Sequence, residues 1–251
     1  MSADILPLAL EDVSFEAGGV RLIKDFNCTF EAGPRTVIIG PNGAGKSLLM
    51  RLCHGLLKPS SGRVVWHGPG GETAGDAQAM VFQRPVMLRR SVSANVDFAL
   101  KLRHIPRRER LEIIDEVLAR CALRRHKDKP ARVLSFGEQQ KLALARAWAL
   151  KPQILFLDEP TASLDPAATH SVEEIIQAIH AAGTRIVLTT HDLGQAKRLG
   201  DEVMFLHRGR LLEKAPVGKF FERPENDLAR AFVQGDLLWW RLGKDNLRAP
   251  K

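Results

Sequence analysis

Eight consecutive residues near the start of the chain have the types and spacing needed to hold a row of phosphate groups. They match the pattern G-x-x-x-x-G-K-S. Glycines let such a loop turn its backbone N–H groups toward phosphate oxygens, the lysine reaches the outer phosphates, and the serine hydroxyl is a ligand for Mg²⁺. The pattern therefore predicts a site for a nucleoside triphosphate with Mg²⁺. In chain order the residues are Gly40, Pro41, Asn42, Gly43, Ala44, Gly45, Lys46 and Ser47.

A pair of carboxylates at the end of an apolar run is the second candidate for chemistry. Ile154 to Leu157 are apolar, and Asp158 and Glu159 follow directly. Because successive side chains of a strand diverge, Asp158 can face a metal ion while Glu159 faces an attacking water and orients it as a general base. Without the glycine-rich loop upstream, the same run would equally fit a strand followed by an acidic turn.

Both groups need elements that bring them together. The loop follows Thr36 to Ile39, which we predict to be a buried strand, and it opens a helix predicted to continue through Leu56. The N-terminus of that helix adds partial positive charge to the phosphate site. In a sheet of parallel strands, the strand that ends at Asp158 delivers its carboxylates to the same edge. We therefore expect the loop and the carboxylates to be neighbours.

Short apolar runs alternate with longer amphipathic segments, which is typical of an α/β fold with a mostly parallel sheet. Further candidate strands are Arg185 to Leu188 and Val203 to Leu206. By contrast, Phe26 to Glu31 alternates apolar and polar residues, as a half-exposed antiparallel strand does. We therefore predict a separate antiparallel β layer near the N-terminus.

One stretch between the loop and the acidic pair has no strand signal. From Arg89 to Lys129 the apolar residues recur at helical spacing, in a segment opened by Pro106. We predict an inserted helical lobe over about 89–150, within one domain that spans 1–234. Residues 235–251, with Trp239 and Trp240, are predicted to be an appended tail, and the sequence does not indicate its role.

Three further features narrow the class of nucleotide-binding protein. Leu134-Ser135-Phe136-Gly137-Glu138-Gln139-Gln140 lies just before the acidic strand, Gln83 lies upstream of it, and His191 follows the predicted strand that begins at Arg185. In this order of motifs the sequence resembles the ABC ATPase family. The resemblance implies an α/β fold of the P-loop NTPase type, with a mostly parallel core, an antiparallel β layer and an inserted helical lobe.

The resemblance also implies a role for each of these residues. Ser135 and the Gly137 N–H would contact the γ-phosphate held by a second subunit, Gln83 would sense Mg²⁺ and the attacking water, and His191 would hold the γ-phosphate. The implied ligands are ATP and Mg²⁺, the implied reaction is ATP hydrolysis, and the implied assembly is a homodimer. Ser163 to Asp165 is similar to the loop that joins the two sites, although Asp165 could equally be a helix cap.

The chain departs from the family pattern in two places. Phe136 and Glu138 stand where the family commonly has Gly and Gln. The chain also has no Tyr, and Ala17 occupies the place where the family usually has an aromatic residue that stacks on adenine. Phe15, two residues earlier on the same face of the strand, is the candidate substitute. The sequence therefore supports phosphate binding more firmly than recognition of adenine.

Charge and composition limit the remaining choices. Lys and Arg outnumber Asp and Glu by 37 to 29, for a net charge of +8, which is compatible with nucleic acid, an anionic membrane face or a solvated surface. No apolar run approaches the roughly 20 residues of a spanning helix, and the first residues lack signal-peptide features. We expect a soluble intracellular chain in which Cys28, Cys53 and Cys121 are packing residues.

Two hypotheses of function follow. In the first, the chain is an ABC transporter subunit bound peripherally at the cytoplasmic face of the cell membrane, and residues Gln83 to Val96 dock on membrane permease subunits. The amino-acid sequence of that segment is similar to that of importers of tungstate and related oxyanions. Such importers imply an extracytoplasmic solute-binding protein; import or export of another solute stays open.

In the second hypothesis, the chain acts on nucleic acid. The sequence has none of the coiled coils, zinc modules or tandem domains of such members, so we expect no nucleic-acid partner.

Overall fold

The described part of the chain, residues 4–235 of a computed structural model, has nine strands in two sheets. The strands are β1 (Leu8–Ala17), β2 (Val20–Phe30), β3 (Thr36–Ile39), β4 (Ser61–Trp66), β5 (Gln78–Val81), β6 (Ile154–Asp158), β7 (Arg185–Thr189), β8 (Glu202–His207) and β9 (Arg210–Pro216). The α-helices are α1 (Lys46–Cys53), α2 (Ala74–Ala77), α3 (Val92–Leu102), α4 (Arg107–Arg120), α5 (Phe136–Ala149), α6 (Pro166–Ala181), α7 (Leu193–Leu199), α8 (Val217–Glu222) and α9 (Asp227–Val233).

The larger sheet has the strand order β5-β6-β7-β3-β8-β9. Every neighbouring pair runs parallel except β8 and β9. All residues of β3, β6 and β7 are buried, because both faces of a parallel sheet are covered and its strands are correspondingly apolar. The predicted mostly parallel core is confirmed.

The smaller sheet, with the order β2-β1-β4, is antiparallel. Its apolar side chains Ile23, Phe26 and Phe30 pack in one cluster with Leu49 and Met50 of α1. This sheet therefore covers the helix that follows the loop 40–47. The predicted separate β layer is confirmed.

Helices α3, α4 and α5 lie between β5 and β6 in the chain and pack against one another. Their buried residues, such as Val96, Val117 and Leu142, share one apolar cluster with Leu157 of the central sheet. The fold thus contains an inserted helical segment. The bounds of a lobe at about 89–150 and of a domain at 1–234 stay predictions.

Helix α1 ends earlier than the sequence suggested. The prediction continued the helix through Leu56, whereas α1 ends at Cys53 with His54 as its C-cap. Gly55 has a φ of 80°, and Leu56 N donates to Arg51 O at 2.9 Å. A glycine in the left-handed region with this bond closes a helix in a Schellman-type turn.

Within residues 4–235 no helix is both long and apolar enough to cross a bilayer.

Cys53 and Cys121 are buried, Cys28 is half-buried, and all three are free thiols. Burial raises the pKa of Cys28 to about 11 and that of Cys121 to about 12, so these thiols stay protonated at neutral pH. The predicted tail with Trp239 and Trp240 lies outside the described residues.

Candidate functional site

The loop 40–47 fits closely between β8 and the antiparallel sheet. Gly40 has a φ of 150°, and a Cβ there would lie 2.1 Å from the backbone oxygen of Leu206 in β8. Gly45 has a φ of 103°, and its Cβ would lie 2.7 Å from Cδ1 of Ile23. At Gly40 a backbone oxygen leaves no room for a side chain, and at Gly45 the φ of 103° is a conformation that residues with a Cβ rarely adopt. Asn42 and Gly43 are exposed at the tip of the loop, and Ala44 is buried.

Lys46 is the first residue of α1 and lies under the loop. Its Nζ donates to the carbonyl oxygens of Gly40 at 2.9 Å and Pro41 at 3.3 Å, and it lies 4.0 Å from Oε1 of Glu159. Burial lowers the pKa of Lys46, against the opposing effect of the Glu159 and Asp158 charges. The ammonium is therefore fixed between the loop and the acidic pair.

Asp158, at the end of β6, is held by two hydroxyl groups. Ser47 Oγ donates to its Oδ1 at 2.8 Å, and Thr189 Oγ1 donates to the same oxygen at 2.9 Å. Thr189 Oγ1 also accepts from the backbone N–H of Glu159 at 2.9 Å. Sequence reasoning did not select Thr189. The available signal was the parallel register, which places Thr189 opposite Asp158.

Glu159 is the point on which the other candidate residues converge. Its φ of 45° is in the left-handed region, which a non-glycine residue adopts only when its surroundings enforce it. Besides Lys46 at Oε1, Gln83 Nε2 donates to Oε2 at 3.3 Å, and His191 Nδ1 lies 3.4 Å from the same oxygen. Residues from four separate parts of the chain thus meet at one carboxylate. The sequence placed all four in one nucleotide site, and their individual roles stay predictions.

Ser135 and Gly137 lie at the start of α5 and are not part of this group. Ser135 is the N-cap of α5 and is exposed, and within residues 4–235 its hydrogen bonds go to Glu138 and Gln139. A Cβ on Gly137 would lie 3.1 Å from Cβ of Ala168 in α6. The start of α5 is therefore packed beside α6 and presents its N-terminus to solvent.

The segment 163–165 leads into α6. Ser163 has a φ of 66°, Leu164 is half-buried, and the Asp165 side chain accepts from Ala168 N at 2.8 Å. Asp165 is thus a helix cap, which was the plainer of its two predicted roles.

Phe15 is half-buried in β1 and packs on the same cluster as Ile23, its partner in the register of β2. Since Cδ1 of Ile23 lies 2.7 Å from the point where a Cβ on Gly45 would be, Phe15 lies on the face of the antiparallel sheet that carries the loop. Ala17 pairs with Val20 and is exposed. Of the two positions, Phe15 therefore has the aromatic surface near the loop.

Comparisons with known proteins decide the family. Residues 23–162 match the family model described as ABC transporter. The tungstate uptake system ATP-binding protein TupC of Peptoclostridium acidaminophilum is 36% identical over 83% of this chain and 98% of its own length. The chain belongs to the ABC transporter family.

Two further members extend this ABC transporter relationship. The methionine import ATP-binding protein MetN of Xanthomonas euvesicatoria pv. vesicatoria is 38% identical over 88% of this chain and 69% of its own length. The structure of cbiO1 from Clostridium perfringens, part of the ABC transporter complex cbiONQ, superposes with a TM-score of 0.78 at 28% identity, over 98% and 99% of the two chains. Like the ATP-binding subunits of this family, the chain binds and hydrolyses ATP.

Proposed function

We propose that this chain is the ATP-hydrolysing subunit of a membrane importer and works as a homodimer with two shared sites. Each site would combine the loop 40–47, Asp158 and Glu159 of one copy with Ser135 and Gly137 of the other. The observation that supports this most is the division of the candidate residues. One group converges on Glu159, while the start of α5 lies apart with its N-terminus facing solvent, and a helix N-terminus is a favourable place for a phosphate.

The proposed hydrolysis needs a water held in line with the γ-phosphate. Glu159 would orient this water and accept its proton as the new phosphorus–oxygen bond forms and the bond to the leaving ADP oxygen breaks. Lys46 and His191, both beside Glu159, would stabilise the charge that develops on the γ-phosphate oxygens. Gln83, bonded to the same carboxylate, would keep the water and Glu159 aligned.

The residues present also fit Mg²⁺. The described residues contain no group of three or more His, Cys, Asp or Glu that could hold a metal ion alone. Ser47 Oγ and Asp158 Oδ1 are 2.8 Å apart, and Gln83, whose Nε2 bonds the neighbouring Glu159, would offer its amide oxygen as a further ligand. Mg²⁺ is commonly held by one or two carboxylates together with substrate phosphates. When bound, it would neutralise charge on the β- and γ-phosphate oxygens.

Phe15 is proposed as the surface on which adenine stacks. Its half-buried ring and its place beside Ile23 support this role. Base stacking on an aromatic side chain is worth about 1–3 kcal/mol, so Phe15→Ala should weaken ATP binding by about tenfold or more, while Phe15→Trp should retain it. Equal nucleotide affinity for Phe15→Ala and the native chain would remove Phe15 from this role.

An apolar groove of about 390 Å³ between β5, α3 and α5 is the proposed docking site for a helix of a membrane permease. Val86 is 72% exposed and Leu102 65% exposed at its edge. Met87, which the sequence suggested as part of this surface, is instead buried in the core. The apolar lining includes Phe82, Pro85, Val86, Phe98, Leu102 and Leu150.

Arginines without carboxylate partners flank this groove. Arg146 Nη1 donates to Val86 O at 2.9 Å, and burial lowers the pKa of Arg146. Arg90 lies over the ring of Phe98. Within residues 4–235 no ion pair is formed by Arg84, Arg89, Arg90, Arg132 or Arg146. The docking helix is therefore proposed to carry carboxylates beside its apolar face.

For the solute we propose an oxyanion such as tungstate. The amino-acid sequence of residues 83–96 supports this, and so does the similarity of the chain to the tungstate uptake protein TupC. The similarity to a methionine import protein keeps another small solute as the alternative. Such an importer would place the chain peripherally on the cytoplasmic face of the membrane, with permease subunits and an extracytoplasmic solute-binding protein. Elemental analysis of cells with and without the gene, grown with tungstate or molybdate, tests the solute.

The shared site itself is tested by diluting the purified chain. The proposal predicts that ATP hydrolysis per molecule falls on dilution and is lost in Ser135→Ala. Phe82→Ser, in the docking groove, is the control and should not change hydrolysis by the isolated chain. The proposal would be contradicted if the rate of ATP hydrolysis per molecule stayed the same on dilution and in Ser135→Ala.

A further inference from the structure

Glu138 holds the hydroxyl group of Ser135. Ser135 Oγ donates to Glu138 Oε2 at 3.0 Å and accepts from Glu138 N at 3.3 Å, and Ser135 N donates to Oε2 at 2.9 Å. These bonds form a capping box at the start of α5. A serine hydroxyl has a single hydrogen, and here that hydrogen points to a carboxylate.

The second oxygen of Glu138 faces a buried histidine. His126 Nδ1 lies 3.1 Å from Oε1, and the His126 side chain is 11% exposed. Burial raises the pKa of Glu138, but hydrogen bonds from Ser135 and the charges of His126 and Arg125 outweigh it and leave the pKa below its ordinary value. Glu138 is therefore ionised at neutral pH.

His126 is fixed by the backbone around it. Its N–H donates to Leu123 O at 2.8 Å, and its carbonyl accepts from Lys129 N at 2.9 Å. The carbonyls of Lys127 and Lys129 accept in turn from Ser93 N and Val92 N at the start of α3. These backbone bonds hold the loop that carries His126, and so keep its buried imidazole beside Glu138.

An ionised carboxylate beside Ser135 opposes the approach of a triphosphate. Like charges a few ångströms apart repel strongly once water is excluded from between them. The hydroxyl hydrogen must also leave Oε2 before it can bond a phosphate oxygen. Within residues 4–235 His126 Nδ1 makes no hydrogen bond of good geometry, although it lies 3.1 Å from Oε1. A small turn of the Glu138 carboxylate would let a hydrogen on Nδ1 bond Oε1, which meets both needs because it places a donor against the carboxylate and gives Glu138 another bonding partner.

Building on the proposed role of Ser135 at the partner's triphosphate, we propose that His126 is a positioning residue for ATP-driven dimerisation. It holds Glu138 and screens its charge, so that Ser135 can turn to the γ-phosphate of the other copy. Glu138 and His126 then act as one unit. The variant Glu138→Gln would keep the capping box and would need no counter-charge.

The test is a double-mutant cycle in a Glu159→Gln background, with dimer affinity measured in ATP by analytical ultracentrifugation. His126→Gln should weaken the dimer about tenfold, while in Glu138→Gln the further change His126→Gln should have no effect. His67→Gln, which removes a His–Glu pair on the antiparallel sheet, is the matched control and should leave dimer affinity unchanged. His126→Asn repeats the test if His126→Gln unfolds below the assay temperature.

Two results would overturn the role of His126. One is undiminished dimerisation in His126→Gln. The other is that His126→Gln weakens the dimer as much in the Glu138→Gln variant as it does when Glu138 is intact. That result would mean that His126 only supports the fold. Ser135→Ala separates these from a failure of the shared site: if that variant still dimerises with native ATP dependence, the proposed function itself is contradicted.

Discussion

Thr189 Oγ1 donates a 2.9 Å hydrogen bond to Asp158 Oδ1 across the register of two parallel strands. The same hydroxyl accepts from the N–H of Glu159. One buried side chain therefore orients both members of the acidic pair. The metal-facing and water-facing carboxylates proposed above depend on it for their direction.

Replacing Thr189 with valine should slow ATP hydrolysis with little effect on nucleotide affinity. The variant keeps the shape of the side chain but removes one bond to each acidic residue, each worth roughly 1 kcal/mol. A fall in kcat on the order of tenfold follows, and Thr189→Ser should recover most of it. Steady-state kinetics at saturating ATP measure this, and a native kcat for the valine variant would mean that Thr189 is only a packing residue.

Glu159→Gln should bind ATP normally but stall hydrolysis. The amide keeps the size of the side chain and loses the basic oxygen that would take the proton from water. ATP would then hold the two copies together, so dimers should accumulate in size-exclusion runs with ATP and not with ADP. Turnover at the native rate in this variant would remove Glu159 from its proposed role.

Gly40→Ala should destabilise the protein far more than Gly18→Ala. Both glycines have positive φ, but the new Cβ at position 40 would lie 2.1 Å from the backbone oxygen of Leu206, whereas nothing lies within 4 Å of it at position 18. The φ of 150° at Gly40 is also harder for alanine to adopt than the φ of 57° at Gly18, so the collision and the backbone strain destabilise Gly40→Ala together. Thermal unfolding of both variants measures the difference; equal midpoints would show that the loop can move away from β8.

His54 should make the protein less stable in mild acid. Burial lowers the pKa of His54 below the ordinary value of about 6.5, so the unfolded chain takes up the proton more readily than the folded one. The stability from this residue is therefore fully present above about pH 6.5 and is lost as pH falls below it. Between pH 8 and pH 5.5 the unfolding midpoint of the native chain should drop further than that of His54→Gln. Equal drops would show that His54 does not contribute.

Much of the fold and the core of the site could be predicted because their signals are local. The loop 40–47 and the pair Asp158 and Glu159 are contiguous patterns, and the apolar runs around them match buried strands. Thr189 could not be selected in this way, since its partner lies 31 residues earlier and only the strand register joins them. The approach of His126 Nδ1 to Glu138 Oε1, at 3.1 Å, is likewise set by tertiary packing.

The end of α1 and the direction in which Phe15 faces could not be predicted for a second reason, which is that both depend on local backbone conformation. Apolar residues continue past Cys53 at helical spacing, but Gly55 stops the helix, so the backbone conformation outweighed the side-chain pattern. In β1, register shifts between Leu10 and Glu16 interrupt simple alternation. Which side chains share a face there depends on irregularities that a single sequence does not reveal.

The central claim, a site shared between two copies, is tested most directly by mixing two inactive variants. Lys46→Ala lacks the phosphate-binding lysine and keeps Ser135, while Ser135→Ala keeps the loop. In a mixed dimer one of the two sites has an intact loop from one chain and an intact α5 start from the other. ATP hydrolysis should therefore reappear on mixing, up to about half the native rate per dimer. A mixture no more active than the sum of its parts, with mixed dimers present, would contradict the shared site.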